Sequence, residues 1–264
     1  QPALRVLAAV AALVAVEFGA VAGLVMSLPW GPVGSALPGA LQGIAAALAG
    51  VGDALAGVPT LLSRDVIANG GYQLPSGEWI GTFMGLSPAV AWLLRVLLVY
   101  AYGFVWLLVG WWTYLVYRDN YRHADWAPVD DMVGRFRNHS WGLFGMAVIF
   151  AFVVLVVFAP ALGPTTVEAN IADPYLHSIE YYDSETGGVE EIYVGDANGE
   201  SQSRGQGGEN VGPMSYDQYN RFHPFGTLPS GKDLFTFMAA GARVSLFIGV
   251  LSLLLAGGAA MAFA

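Results

Sequence analysis

Cysteine is absent from this chain of 264 residues, which excludes disulfides and thiolate metal sites and leaves packing and hydrogen bonds to hold every polar segment. Lysine is almost absent too, with Lys232 alone against ten arginines. Charged residues make up only 12% of the chain and the mean hydropathy is +0.54, far from the balance of a soluble domain. Catalytic signatures are missing as well. No Gly-x4-Gly-Lys-Ser/Thr phosphate loop occurs, so the chain is expected to bind no ATP itself and to be no enzyme. Neither His-Glu-x-x-His nor Gly-x-Ser-x-Gly is present, and His123, His139, His177 and His223 are too scattered to suggest one metal centre. The sequence implies no resident cofactor, and nothing in it points to nucleic acid.

Hydrophobic residues account for 55% of the chain and are clustered. Spanning a hydrocarbon core of about 30 Å takes roughly 20 apolar residues of helix. Four runs approach or exceed that length: Leu4 to Leu28, Ala89 to Val116, Leu143 to Leu162 and Ala242 to Ala264. The first could be read as a signal peptide behind Arg5, but it is longer than an h-region and no small-x-small cleavage site closes it, so a retained helix is expected. The fourth reaches Ala264 without a polar flank, and the chain is expected to continue into further helices. Arg118, Arg122, Arg135 and Arg137 cluster between the second and third runs, which puts that connection and the N-terminus in the cytoplasm. Trp111, Trp112, Tyr114, Tyr117 and Trp141 would form an aromatic belt at the same interface. Asn138-His-Ser is a glycosylation sequon on the wrong side of the membrane and reads as accidental.

By this topology the segments from Trp30 to Pro88 and from Gly163 to Ala240 lie outside, and they hold most of the acidic residues. A net charge of −9 with a single lysine suits a protein bathed in high salt, and a halophilic archaeal source is inferred. Within Gly31 to Ser63, Leu41, Ile44, Leu48, Val51 and Leu55 recur with helical period, which predicts an amphipathic helix on the outer membrane surface rather than a fifth span. Two β-prone runs flank Ser-Glu-Thr-Gly-Gly between Ile179 and Val194, the composition of a hairpin. From Gly195 to Gly212 the chain reads as a mobile loop. Asp196, Asn198 and Glu200 alternate like the first ligands of a calcium loop, but Ser201 and Gly207 stand where glycine and a bidentate Glu are required.

Three ionisable groups fall inside membrane runs: Glu17, Arg95 and, at the outer end of the fourth run, Arg243. Glu17 and Arg95 come at similar depth when counted at about 1.5 Å per residue, and an unpaired charge there is costly. Either they pair and tie the first two helices together, or Arg95 snorkels to the outer headgroups while Glu17 is protonated or faces another neighbour.

Chemistry is densest from His223 to Gly249. His223, Pro224, Gly226 and Thr227 are followed by Gly231, Lys232 and Asp233, and then by Gly241, Ala242, Arg243, Ser245, Leu246 and Gly249. This spacing resembles the pattern of ABC transporter permeases of the dipeptide and oligopeptide importer C-subunit type. Phe225, Leu228 and Lys232 depart from it, standing where that family has Leu, Asp and Arg; the lysine keeps the charge but lacks a bidentate fork. Gly241, Ala242, Ser245 and Gly249 give the fourth run a small-residue face for close helix approach. The resemblance implies that Arg243 bonds loop carbonyls or the Asp233 carboxylate. It also implies as partners a second permease subunit, two ATPase subunits that bind the ATP, and an external solute-binding protein. The ATPase-coupling loop would lie beyond Ala264.

The expected fold is therefore an all-α integral membrane protein with about four transmembrane helices, one interfacial helix and an external acidic region containing a β-hairpin. Residues 1–130 form an N-terminal extension outside the usual family pattern, 131–162 the approach and first permease-type helix, 163–240 the external region, and 241–264 the start of the core permease domain. The expected function is a plasma-membrane, multi-pass permease subunit of an importer for peptides or related solutes. A membrane scaffold or receptor whose external region binds a ligand is the alternative. A secondary transporter fits less well, since neither Glu17 nor Arg95 lies in a broken helix.

Overall fold

The structure is a computed structural model that describes residues 2–18, 60–122, 128–200 and 210–263. The amphipathic segment expected from Gly31 to Ser63 falls almost wholly outside those residues. The described chain is mostly helical, and three helices are long and apolar enough to cross a membrane: Pro88–Asn120, Ser140–Val157 and Leu234–Met261. The described part of the first run forms an apolar helix, α1 (Pro2–Val16), and residues 19–28 of that run lie outside the described residues. A multi-pass membrane protein follows from these lengths and compositions.

The chain divides into two compact units, residues 1–66 with 98–154 and residues 67–97 with 155–264. The longest helix, α2 (Pro88–Asn120), contributes to both. It begins at proline, whose fixed φ suits a first helical turn. In the first unit the Tyr102 hydroxyl donates to the Leu13 carbonyl of α1 at 2.7 Å. A short helix α3 (Pro128–Arg137) precedes α4 (Ser140–Val157), whose Ala151 carbonyl accepts from Tyr100 at 3.2 Å. Gly103 lets α2 and α4 approach closely, because a Cβ there would meet Val154 Cγ2 at 2.7 Å.

The third apolar run does not form one helix to Leu162. Proline at position 160 cannot donate a helical hydrogen bond, and the chain breaks at Phe158 before a single helical turn, α5 (Ala159–Leu162). A π-helical turn at Glu168–Ala172 follows.

The second unit is largely polar chain wrapped on aromatic rings. β1 (Tyr72–Gln73) and β2 (Trp79–Ile80) pair antiparallel, as do β3 (Ser178–Asp183) and β4 (Gly188–Tyr193), the latter with Asp183 opposite Gly188. Next comes α6 (Val194–Glu200), so the predicted mobile loop is helical over its first turns. The reason is burial: Val194, Ala197 and Asn198 pack inside and override the poor helix propensity of Gly and Asn. A third ribbon joins β5 (Ser215–Tyr216) to β6 (Phe222–His223). Trp92 sits between Phe222 and Phe235, with centroids 5.6 and 5.7 Å away, and Phe235 meets Phe225 edge-on at 5.1 Å. Such rings supply the core that disulfides would otherwise supplement.

The last helix, α7 (Leu234–Phe263), starts eight residues before the apolar run that predicted it. Its first turns are therefore built by the second unit. From Gly241 onward none of its described residues is buried, leaving the small-residue face open.

Candidate functional site

A buried cluster of ionisable side chains sits at the head of α7, and it is built from the sequence motif outward. The turn between β5 and β6 is held by Asp217. Its Oδ1 accepts from the Tyr219 and Arg221 amides at 3.0 and 2.8 Å, and its Oδ2 accepts from Arg221 Nε at 2.6 Å. Asn220 takes the left-handed conformation the turn needs, at φ +60°. The Arg221 guanidinium also donates to Asn198 Oδ1 of α6 at 2.7 Å. Asp217 is buried, which pushes its carboxyl up; the His223 hydrogen bond and the Arg221 charge outweigh that and hold it at about 2.

His223 is the centre of the cluster. Its Nδ1 is 3.0 Å from Asp233 Oδ2 and its Nε2 is 3.5 Å from Asp217 Oδ2, with 3% of the residue exposed. Burial pushes the imidazole down, but the bonds to the two carboxylates raise it above its usual range.

Asp233 carries the cluster into the helix. Its Oδ1 accepts the Thr236 amide at 2.7 Å, the geometry of an N-cap bonding the third helical residue. Asn170 grips the same residue from the π-helical turn, accepting from the Asp233 amide at 2.8 Å and donating to its carbonyl at 3.1 Å. Lys232 reaches the Ile171 carbonyl at 3.5 Å.

The remaining motif residues are explained by close backbone approach. Thr227 exchanges two bonds with Val211: its amide donates to the Val211 carbonyl at 3.0 Å, and its hydroxyl accepts the Val211 amide at 3.1 Å. Gly226 has φ +81°, and a Cβ there would lie 2.5 Å from the Val211 carbonyl oxygen. Gly231 has φ +75°, and its Cβ would lie 1.9 Å from the Asn198 carbonyl oxygen. Pro224 is fully buried and accepts from the Met214 amide at 3.1 Å. Leu228, the departure from Asp, donates its amide to the Lys232 carbonyl at 2.8 Å, closing the turn through main chain.

Arg243 differs from expectation. Its Nε and Nη2 are buried without a hydrogen-bond partner among the described residues, while the Asp233 carboxylate is taken by Thr236 and His223. Nearly three turns of helix separate positions 233 and 243, about 15 Å of rise, which puts the Asp233 carboxylate out of reach. A Cβ at Gly241 or Gly249 would meet nothing within 4 Å.

Glu17 and Arg95 each have partners that the sequence did not suggest. Glu17 accepts from the Thr60 hydroxyl at 2.9 Å and the Leu62 amide at 2.6 Å. Arg95, fully buried, donates to the carbonyls of Ile67 at 2.7 Å and Gly163 at 3.0 Å. Trp92 Nε1, one turn earlier, donates to the Leu162 carbonyl at 2.8 Å, and Asn69 donates to that of Pro164 at 3.0 Å. Three successive carbonyls at the end of α5 are thus gripped by three side chains of the N-terminal extension.

Asp217, Arg221 and Asn170 were missed by sequence reasoning, and Asn198 was weighed only against a calcium loop. The Asp217-x3-Arg221-x-His223 spacing was the available signal for the first two; a lone asparagine gives none.

Residues 128–178 match the family described as the N-terminal TM domain of oligopeptide transport permease C. Over those residues the chain is similar to the N-terminal membrane domain of OppC-type permeases. No curated protein and no solved structure matches it. The matched stretch of the permease runs from α3 through α4 and the π-helical turn to the first residue of β3. It includes Asn170, which binds Asp233 of the motif. The polar cluster ties the β5–β6 ribbon and the π-helical turn to the first turn of α7.

Proposed function

We propose that this chain is a subunit of an ATP-driven importer for peptides or related solutes and forms part of the translocation path. The observation that carries this reading is the match to the permease domain, which lies on an apolar helix long enough to span a bilayer. Solute would be delivered by an external binding protein, a second permease subunit would complete the path, and two ATPase subunits would bind and hydrolyse ATP. The plasma membrane is the proposed location. Arg118, Arg122, Arg135 and Arg137 support a cytoplasmic connection between α2 and α4, hence a cytoplasmic N-terminus and external segments from Trp30 to Pro88 and from Gly163 to Ala240. The account predicts that a deletion strain loses uptake of a labelled peptide and that the full-length gene restores it with ATP dependence. Uptake unchanged by the deletion, or insensitive to ATP depletion, would contradict it.

A further inference from the structure

We propose that His223 is a proton-dependent clasp, in which the imidazolium holds the β5–β6 ribbon to the N-cap of α7 and loss of its proton releases that hold. The argument is first one of hydrogen-bond inventory. Asp217 Oδ2 and Asp233 Oδ2 face the two ring nitrogens, and an ionised carboxylate only accepts. A neutral imidazole has one donor and must turn a lone pair toward one of these oxygens. Only the doubly protonated ring satisfies both.

Charge balance agrees. Asp217 and Arg221 face His223 from the β5–β6 ribbon, and Asp233 faces it from the head of α7. Protonated, the histidine and Arg221 offset the two carboxylates. Deprotonated, the buried Asp233 carboxylate loses the cation at its Oδ2 while Asp217 keeps Arg221, and low local dielectric penalises that loss. Lys232, the charge adjoining Asp233, is directed to the Ile171 carbonyl, and α6 offers the neutral Asn198 to Arg221. Glu200 of α6 is engaged by Gln218 and Tyr219. None of these supplies a second proton to the pair.

Because the folded-state value of His223 is raised, its contribution is full below the usual histidine range near 6.5 and is lost as pH rises through the raised value. Asp217 acts with the opposite sign: its contribution is present above the ordinary carboxylate range and is lost as pH falls toward about 2. The clasp is therefore closed below the ordinary histidine range and opens as pH rises through the raised His223 value. Burial shields the cluster from ionic screening, so the behaviour persists at high salt.

The experiment uses the full-length chain in detergent with 15N-labelled histidine, the His223→Gln variant identifying its resonances. The expected result is a doubly protonated His223 at pH 7, titrating above the other histidines. Thermal unfolding followed through tryptophan fluorescence falls over that same pH interval, and His223→Gln removes this step. Asp217→Asn lowers the midpoint by about one unit or more without needing the histidine to change. A neutral, single-tautomer His223 at pH 7, or the same alkaline loss of stability in wild type and His223→Gln, would overturn the proposal.

Discussion

Replacing Gly231 with alanine is expected to unseat the head of α7, at a cost far above that of alanine at Gly77. Both glycines hold positive φ, at +75° and +89°, so both replacements carry backbone strain of about 1–3 kcal/mol. They differ in what the new methyl meets. At Gly77 nothing lies within 4 Å, whereas at Gly231 the methyl would fall 1.9 Å from the Asn198 carbonyl oxygen and 2.7 Å from its carbon. Backbone cannot swing aside as a side chain can. Relief requires α6 to move, and with it the Asn198 amide that receives Arg221. The loss should reach Asp217 and His223, and Gly231→Ala should lower Tm well beyond Gly77→Ala in the detergent-solubilised chain. Equal losses at the two sites would mean that the close approach carries no energy.

Arg95→Leu is expected to be the most damaging single change in the N-terminal extension. It deletes the charge-assisted bonds from the guanidinium to the buried Ile67 and Gly163 carbonyls. At roughly 1.5–3 kcal/mol for each bond to a charged group, the cost is about 3 kcal/mol or more, or roughly 6–12 °C in Tm. Arg95→Lys should recover part of this, since an ammonium supplies the charge but not a planar fork spanning two acceptors. Limited proteolysis of residues 60–71 gives a local readout: cleavage should accelerate in Arg95→Leu and less in Arg95→Lys. If leucine is tolerated with no change in cleavage or Tm, the carbonyls are satisfied by other means and the grip of α2 on residues 162–164 is not energetic.

The helices α2, α4 and α7 were legible because each is a sustained apolar run, and hydropathy needs no long-range information. Their ends were less so. The reading of Leu143 to Leu162 as one span passed over Pro160, the available signal for the break at Phe158, and the fourth run gave no sign that Asp233 would start the helix eight residues early. The Ser-Glu-Thr-Gly-Gly stretch marked the place where β3 turns into β4, since a tight turn leaves a local signature. The motif gave the glycines and Pro224 as positions, yet their structural roles required partners far along the chain: Gly226 needs Val211, Gly231 needs Asn198, and Asp233 needs Asn170. The joining of residues 67–97 to the later polar region had no signal at all, because Asn69, Trp92 and Arg95 bond to carbonyls, which every residue carries. Backbone acceptors leave no trace in composition.

The OppC-type assignment is tested most directly by what accompanies the chain out of its own membrane. The full-length protein, tagged and extracted in mild detergent, should co-purify with a second permease subunit and two copies of ATPase subunit, and ATP hydrolysis by the complex should rise when the external binding protein is added with peptide. Recovery of the chain without any ATPase subunit would contradict transport and leave a membrane scaffold or receptor as the reading of its external region.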